Sequence, residues 1–183
     1  MKTYKPEHDT VLKVAVNEGA SNAFAQIVLT QMMHESADFT SNVYKKNNNP
    51  MGMKVPRVRK SPYILGAGTG APSNEGPTPY ARFASLSDAV KDLFHWLKYN
   101  KIKYNQLTNI QDYVAALKSK SYFGSSDSGA KIYTAGLINN FKKLGVKITQ
   151  AAQSIADAAL PGGGSILPIA LLIGVFVIAF LYL

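Results

Sequence analysis

Phe24, Ile27, Val28, Gln31, Met32 and Glu35 recur at the i, i+3, i+4, i+7 spacing of one helix face, and this pattern predicts a helix over 24–35 that turns one stripe toward a core. The stripe closes on an acid. Among apolar neighbours a carboxyl group is disfavoured in its ionised form, and the negative end of the helix dipole adds to the effect. Both raise the pKa of Glu35 in the direction a general acid needs. The competing reading is an ordinary solvated glutamate at a helix end. Upstream, Asp9 can cap a first helix over 10–18 that stops at Gly19.

Between 42 and 80 the helical period is lost. Asn47, Asn48, Asn49 and Pro50 are followed by Pro56, Pro62, Pro72, Pro77 and Pro79 and by Gly66, Gly68, Gly70 and Gly76, which excludes long helices and predicts a loop or small β-lobe. The period resumes at Ser85, whose spacing to Asp88 resembles a capping box, with Leu86, Ala89, Val90, Leu93 and Leu97 inward and Trp96 beside them. A further helix from about Thr108 buries Ile110, Tyr113, Val114 and Leu117. The next carries Ile132, Tyr133, Leu137 and Phe141 and is expected to end at Gly145. A small-residue helix over 147–160 and a Gly-rich hinge over 161–165 follow. The stretch 166–183 has no charged residue and would extend about 27 Å as a helix, a minimal membrane span with Pro168 in its first turn.

Composition narrows the chemistry. Without cysteine there is no disulfide, thiol nucleophile or cysteine-based metal site, and His8, His34 and His95 show no metal-ligand spacing, so neither metal nor cofactor is expected. The glycines at 66, 68 and 70 are not followed by a helix, which makes them turn residues rather than a phosphate cradle. Twenty Lys and Arg against 11 Asp and Glu give a net charge of +9, which suits an anionic partner such as nucleic acid, anionic lipid or a bacterial wall. No basic helix face or ribonucleoprotein-type motif is present, so no specific nucleic acid is expected. The first residues lack the apolar core of a secretory signal.

A helix ending in Glu and Ser, a Pro/Gly-rich lobe and further helices follow the plan of the lysozyme superfamily. Within it the chain resembles the endo-β-N-acetylglucosaminidase family of peptidoglycan hydrolases. That family's pattern of a helix ending in Glu-Ser and then an Asn-x-Phe-Gly-Ile-Lys loop is similar to Glu35 and Ser36 followed by Asn49, Pro50, Met51, Gly52, Met53 and Lys54. Its Phe-Arg-x-Tyr-x-Ser and Ser-x-x-Asp blocks resemble 80–85 and 89–92, which here hold Tyr80, Arg82, Phe83, Ser85 and Asp92. Two later tyrosine blocks match Tyr122 and the run Tyr133, Thr134, Ala135. Met51, Ala81 and Phe83 depart from the pattern, and the Asp of the first tyrosine block is missing.

The resemblance implies a mainly α, lysozyme-like (α+β) fold with the small lobe, to which the hydrophobic stretch adds one C-terminal transmembrane helix. The expected domains are 1–145 catalytic, 146–165 stalk and hinge, and 166–183 membrane helix. Glycoside hydrolysis needs an acid and usually a second carboxylate. Glu35 is the candidate acid, and Glu75, the one carboxylate of the Pro/Gly-rich lobe, is the candidate partner. Asn49, Tyr80 and Tyr122 are the candidate sugar-binding residues. Tyr63, beside the basic residues Arg57, Arg59 and Lys60, could extend that surface. Bacterial peptidoglycan is the expected substrate, and a lipid membrane and other virion proteins are the expected partners. The expected location is a virion membrane, alternatively a host cell membrane. A muramidase, a lytic transglycosylase and a non-catalytic wall-binding protein stay open as alternatives.

Overall fold

A computed structural model describes residues 5–69, 79–122 and 127–159, with 146–159 described by backbone alone. The elements run α1 (Pro6–Asn17), α2 (Asn22–Glu35), α3 (Asn42–Asn47), β1 (Ile64–Ala67), β2 (Ala81–Phe83), α4 (Leu86–Tyr99), a 3-10 turn (Tyr104–Gln106), α5 (Ile110–Ser119) and α6 (Asp127–Ala159). Chain contacts divide the molecule after Asn140, and the compact unit Lys5–Asn140 holds the core, the lobe and the candidate site described below.

Four helices start where a side chain can accept a free backbone N–H: Ser21 caps α2, Ser41 caps α3, Ser85 caps α4 and Asn109 caps α5. At α4 the second half of the box differs from the expected form. Asp88 is too short to reach the cap backbone and instead accepts from the Ser85 hydroxyl at 2.8 Å. Helix α1 begins four residues before the expected start, because Pro6 occupies its first turn, where a missing N–H costs nothing. Asp9 therefore lies within the first turn rather than at the cap.

Helix α2 is buried on nearly every side: Phe24, Ala25, Ile27, Val28, Leu29, Thr30, Gln31, Met32 and Met33 are all interior. Helix α1 packs on α2 and α4. Around Phe24 the core is aromatic, with Tyr113 edge-on at 5.1 Å, Tyr104 stacked at 5.8 Å and Phe94 edge-on at 6.3 Å between ring centres. Such pairs add about 0.5–1.5 kcal/mol each beyond the area they bury. The inward stripes read from the sequence for α4 and α5 are buried throughout. In α6 Leu137 is buried but Ile132 is exposed, so that stripe is narrower than expected.

The lobe is a two-stranded antiparallel sheet, with Ile64 opposite Phe83 and Ala67 opposite Ala81. A bulge falls between Ile64 and Gly66, and Gly66 takes φ +134°, a backbone angle that a side chain would oppose. Three successive asparagines stitch this lobe together. Asn47 exchanges two hydrogen bonds with the Thr69 backbone, Asn48 donates to the carbonyls of Phe83 and Ala84, and Asn49 bridges Met53 and Ala81.

Two expectations for the C-terminal part are corrected. Helix α6 runs through Gly145 to Ala159 as one element, since a single glycine costs a helix only about 1 kcal/mol. The expected architecture with a transmembrane helix is also overturned: among the described residues no helix is long and apolar enough to cross a membrane. Helix α6 has the length, at 33 residues, but carries Lys131, Lys142, Lys143 and Lys147. The stretch 166–183 and the hinge 161–165 lie outside the described residues. The fold is mainly helical with a small two-stranded sheet, consistent with a lysozyme-like fold.

Candidate active site

Helix α2 stops at Glu35 because the chain turns left-handed just beyond it. Ala37, Asp38 and Phe39 have φ of 50°, 58° and 63°, a conformation that costs L-residues roughly 1–2 kcal/mol each. Buried partners hold the turn in place. Ser36 donates its hydroxyl to the Met32 carbonyl at 2.5 Å and accepts the Phe39 N–H at 2.8 Å. Asp38 pairs with the buried His8 at 3.2 Å and with Lys5, and Phe39 packs between His8 and Tyr44. The N-terminal turn of α1 thereby fixes the end of the helix that presents the acid.

The Glu35 carboxylate is open to solvent yet set among tyrosines. Tyr133 of α6 donates its hydroxyl to Oε1 at 2.6 Å, and Gln31, one turn back on α2, donates its amide to the Tyr133 oxygen at 2.9 Å. Tyr113 of α5 in turn donates to Gln31 Oε1 at 2.5 Å. Tyr122 lies close enough to feel the carboxylate's charge, and its ring packs edge-on against Trp96 at 5.2 Å.

Burial raises the Glu35 pKa above the ordinary carboxylate range, and the opposing pulls of the Tyr133 hydrogen bond and of neighbouring His34 are smaller. The three tyrosines are also raised, first by burial and then by the charges around them, so all three hydroxyls keep their protons at neutral pH. The surroundings therefore favour the protonated form of an acid that solvent, and hence a substrate, can reach.

Close approach of α6 depends on Gly136. A Cβ there would collide with the imidazole of His34, the residue before Glu35. His34 meets the Tyr133 ring edge-on at 5.3 Å, so the glycine, the imidazole and the tyrosine together set how near α6 comes to the acid.

The other sequence candidates fall in two places. Tyr122 joins Glu35 in the tyrosine cluster. Asn49 and Tyr80 belong to the lobe, where Asn49 is buried and its amide is engaged by the backbone of Met53 and Ala81. The Tyr80 ring carries the Lys54 ammonium 3.5 Å above its centre, and a Cβ on Gly52 would lie 3.4 Å from it. Glu75 lies outside the described residues.

Arg59, read from sequence as part of a basic surface, is instead buried and clasped to α4. It donates to both oxygens of Asp92 at 2.6 and 2.9 Å and to His95 Nδ1 at 2.8 Å. Among the described residues no cluster of three or more His, Asp or Glu is placed to hold a metal.

Gln31, Tyr113 and Tyr133 do not stand out in the sequence as site residues, although each lies on a helical stripe legible there. A glutamine inside an apolar stripe was the available signal, because a buried amide needs partners.

No curated protein matches the chain in sequence. Among solved structures it is similar to one described as the structure of a type VI secretion system effector-immunity complex from Pseudomonas protegens. The two share 16% identity at a TM-score of 0.54, over 74% of this chain and 86% of that one, a likeness of fold. A family model for glucosaminidase domains, described as mannosyl-glycoprotein endo-beta-N-acetylglucosaminidase, matches residues 13–146, which include α2, the lobe and the tyrosine cluster. The chain belongs to the glucosaminidase family, glycoside hydrolases that act on cell-wall glycan.

Proposed function

We propose that the protein is an endo-β-N-acetylglucosaminidase that cleaves β-1,4 bonds of bacterial peptidoglycan, for local wall penetration or lysis, with Glu35 as general acid. The observation that carries this reading is the state of Glu35: a solvent-reachable carboxyl whose pKa is raised by burial, on the helix end that the family's Glu-Ser motif occupies.

In the ground state desolvation favours the protonated acid. As the glycosidic bond breaks, the proton passes to the departing oxygen and negative charge appears on Glu35. The Tyr133 hydroxyl, already aimed at Oε1, then becomes a charge-assisted donor, and His34 adds a favourable charge. An interaction that strengthens only as charge develops lowers the barrier rather than merely tightening substrate binding.

Glu75 is proposed as the second carboxylate, acting on water or on the oxocarbenium-like transition state. Tyr122 is proposed to line the sugar site beside the acid. Asn49 and Tyr80 are proposed to act by holding the 49–54 loop in shape for the glycan.

Mass spectrometry of fragments released from purified peptidoglycan tests the reading. New reducing-end N-acetylglucosamine is the expected product. Reducing-end muramic acid or an anhydro sugar would reassign the enzyme to a muramidase or a lytic transglycosylase, and the absence of any released fragment would refute catalysis.

A further inference from the structure

We infer that Tyr113 and Gln31 form an orienting relay that commits Oε1 of Glu35 to accepting a hydrogen bond and so reserves Oε2 for the reacting proton. The inference rests on the proposal that Glu35 is the acid, and adds two positioning residues that have no exposure to substrate.

The direction of every link follows from the one before it. Tyr113 and Gln31 are both fully buried, so neither can turn to water for a partner. The Tyr113 hydroxyl has one proton and gives it to Gln31 Oε1 at 2.5 Å. This fixes which end of the amide is oxygen and leaves its NH2 facing the Tyr133 oxygen at 2.9 Å. An amide nitrogen can only donate, so the Tyr133 oxygen accepts there and its own single proton goes to Glu35 Oε1 at 2.6 Å. Among the described residues no other hydrogen bond reaches the Glu35 carboxylate. The carbonyl oxygen of a neutral carboxylic acid is a stronger acceptor than its hydroxyl oxygen, so the tyrosine's hydrogen bond favours Oε1 as the carbonyl and places the acid's own proton on Oε2. During bond cleavage that proton moves to the glycosidic oxygen, the electron pair of the breaking C–O bond stays with that oxygen, and Glu35 is left as a carboxylate still held through Oε1.

A buried glutamine bonded to two tyrosines could serve stability alone. The two roles separate in what a reversed amide would do. If the amide turned, its oxygen would face Tyr133 and draw the tyrosine's proton away from Glu35. Glu35 would then lose a group that stabilises its charged form, while substrate contacts stayed as they were. The titratable and charged groups that face Glu35 among the described residues are His34 on its own helix, Tyr113 on α5, Tyr122 after α5 and Tyr133 on α6, and none of these is removed by replacing Gln31.

The test measures rate against pH on purified peptidoglycan for the full chain and for Tyr113→Phe, Gln31→Glu and Glu35→Gln, with folding followed by circular dichroism. Tyr113→Phe frees the amide to turn, and an ionised carboxylate at position 31 accepts from both tyrosines. Both variants are expected to lower the maximal rate by about tenfold, leave wall binding unchanged and shift the alkaline limb of the profile upward by about 0.5–1 pH unit. A Tyr113→Phe protein with the wild-type rate and profile overturns the relay, and since it removes a single oxygen it decides the matter even if Gln31→Glu fails to fold. If Glu35→Gln is inactive while Tyr113→Phe is normal, the relay is wrong and the acid stands. Full activity in Glu35→Gln removes the acid and the relay together.

Discussion

Replacing Asp92 by alanine strands a buried guanidinium. In the native protein Arg59 is 7% exposed and Asp92 is fully buried; the two share hydrogen bonds of 2.6 and 2.9 Å, and Ser61 donates to the same carboxylate. With the carboxylate gone, His95 Nδ1 is the acceptor left to Arg59 by these contacts, and the Arg59 Nε already lacks a partner among the described residues. Breaking a buried pair from one side costs about 3–5 kcal/mol, a large part of the roughly 5–15 kcal/mol that holds a domain together. At roughly 2–4 °C per kcal/mol for a chain of this size, the melting temperature should fall by about 6–20 °C. Thermal unfolding followed by circular dichroism measures it. Replacing both partners with apolar residues, Arg59→Met with Asp92→Leu, should recover most of the loss, because no charge is then left buried. The exposed pair Lys98–Glu18, at 2.9 Å, is the control: Lys98→Ala should cost under about 1 kcal/mol. A loss below 1 kcal/mol for Asp92→Ala would refute the claim that this pair anchors the segment before β1 to α4.

Glu35→Gln should make the protein more stable at neutral pH. Because the folded-state pKa is raised, the native protein resists ionisation, and its stability falls as pH rises from the unfolded value of 4.5 through the raised one. Denaturant titrations should therefore show the glutamine variant ahead at pH 7 and level with wild type below pH 4; a variant less stable at pH 7 contradicts the raised pKa of Glu35. Tyr133→Phe removes the hydrogen bond that lowers the Glu35 pKa, so the alkaline limb of activity should move upward while the rate falls by about 10- to 100-fold. An unchanged profile would show that the 2.6 Å contact does not matter to the acid. Gly136→Ala should push α6 or the His34 imidazole outward, with activity falling more than stability; unaltered wall hydrolysis would count against the close approach.

The local signals in the sequence were legible where one residue type has one strong preference. Ser85 caps a helix because its side chain accepts a free N–H group, and the stripes of α4 and α5 follow from period alone. Glu35 was visible as a polar end to an apolar run. What could not be read depends on tertiary approach. Tyr133 is an ordinary stripe residue until α6 is brought against α2, which requires the missing side chain at Gly136. Arg59 reads as surface beside Arg57 and Lys60 until Asp92 is placed opposite it. The asparagines at 47–49 read as loop, and their work as staples emerges only when β2 and the segment at Thr69 come within reach of their amides. Gly145 was a local signal given the wrong weight, outvoted by its helical neighbours.

The central claim is that Glu35 supplies the proton that breaks the glycan. The direct measurement is the release of new reducing ends from purified peptidoglycan by wild type and by Glu35→Gln, whose amide still accepts the Tyr133 hydrogen bond and so preserves the site's shape. A folded Glu35→Gln protein that binds wall but releases sugar at least about a thousandfold more slowly is the expected result. Release at the wild-type rate by that same folded variant would contradict the account.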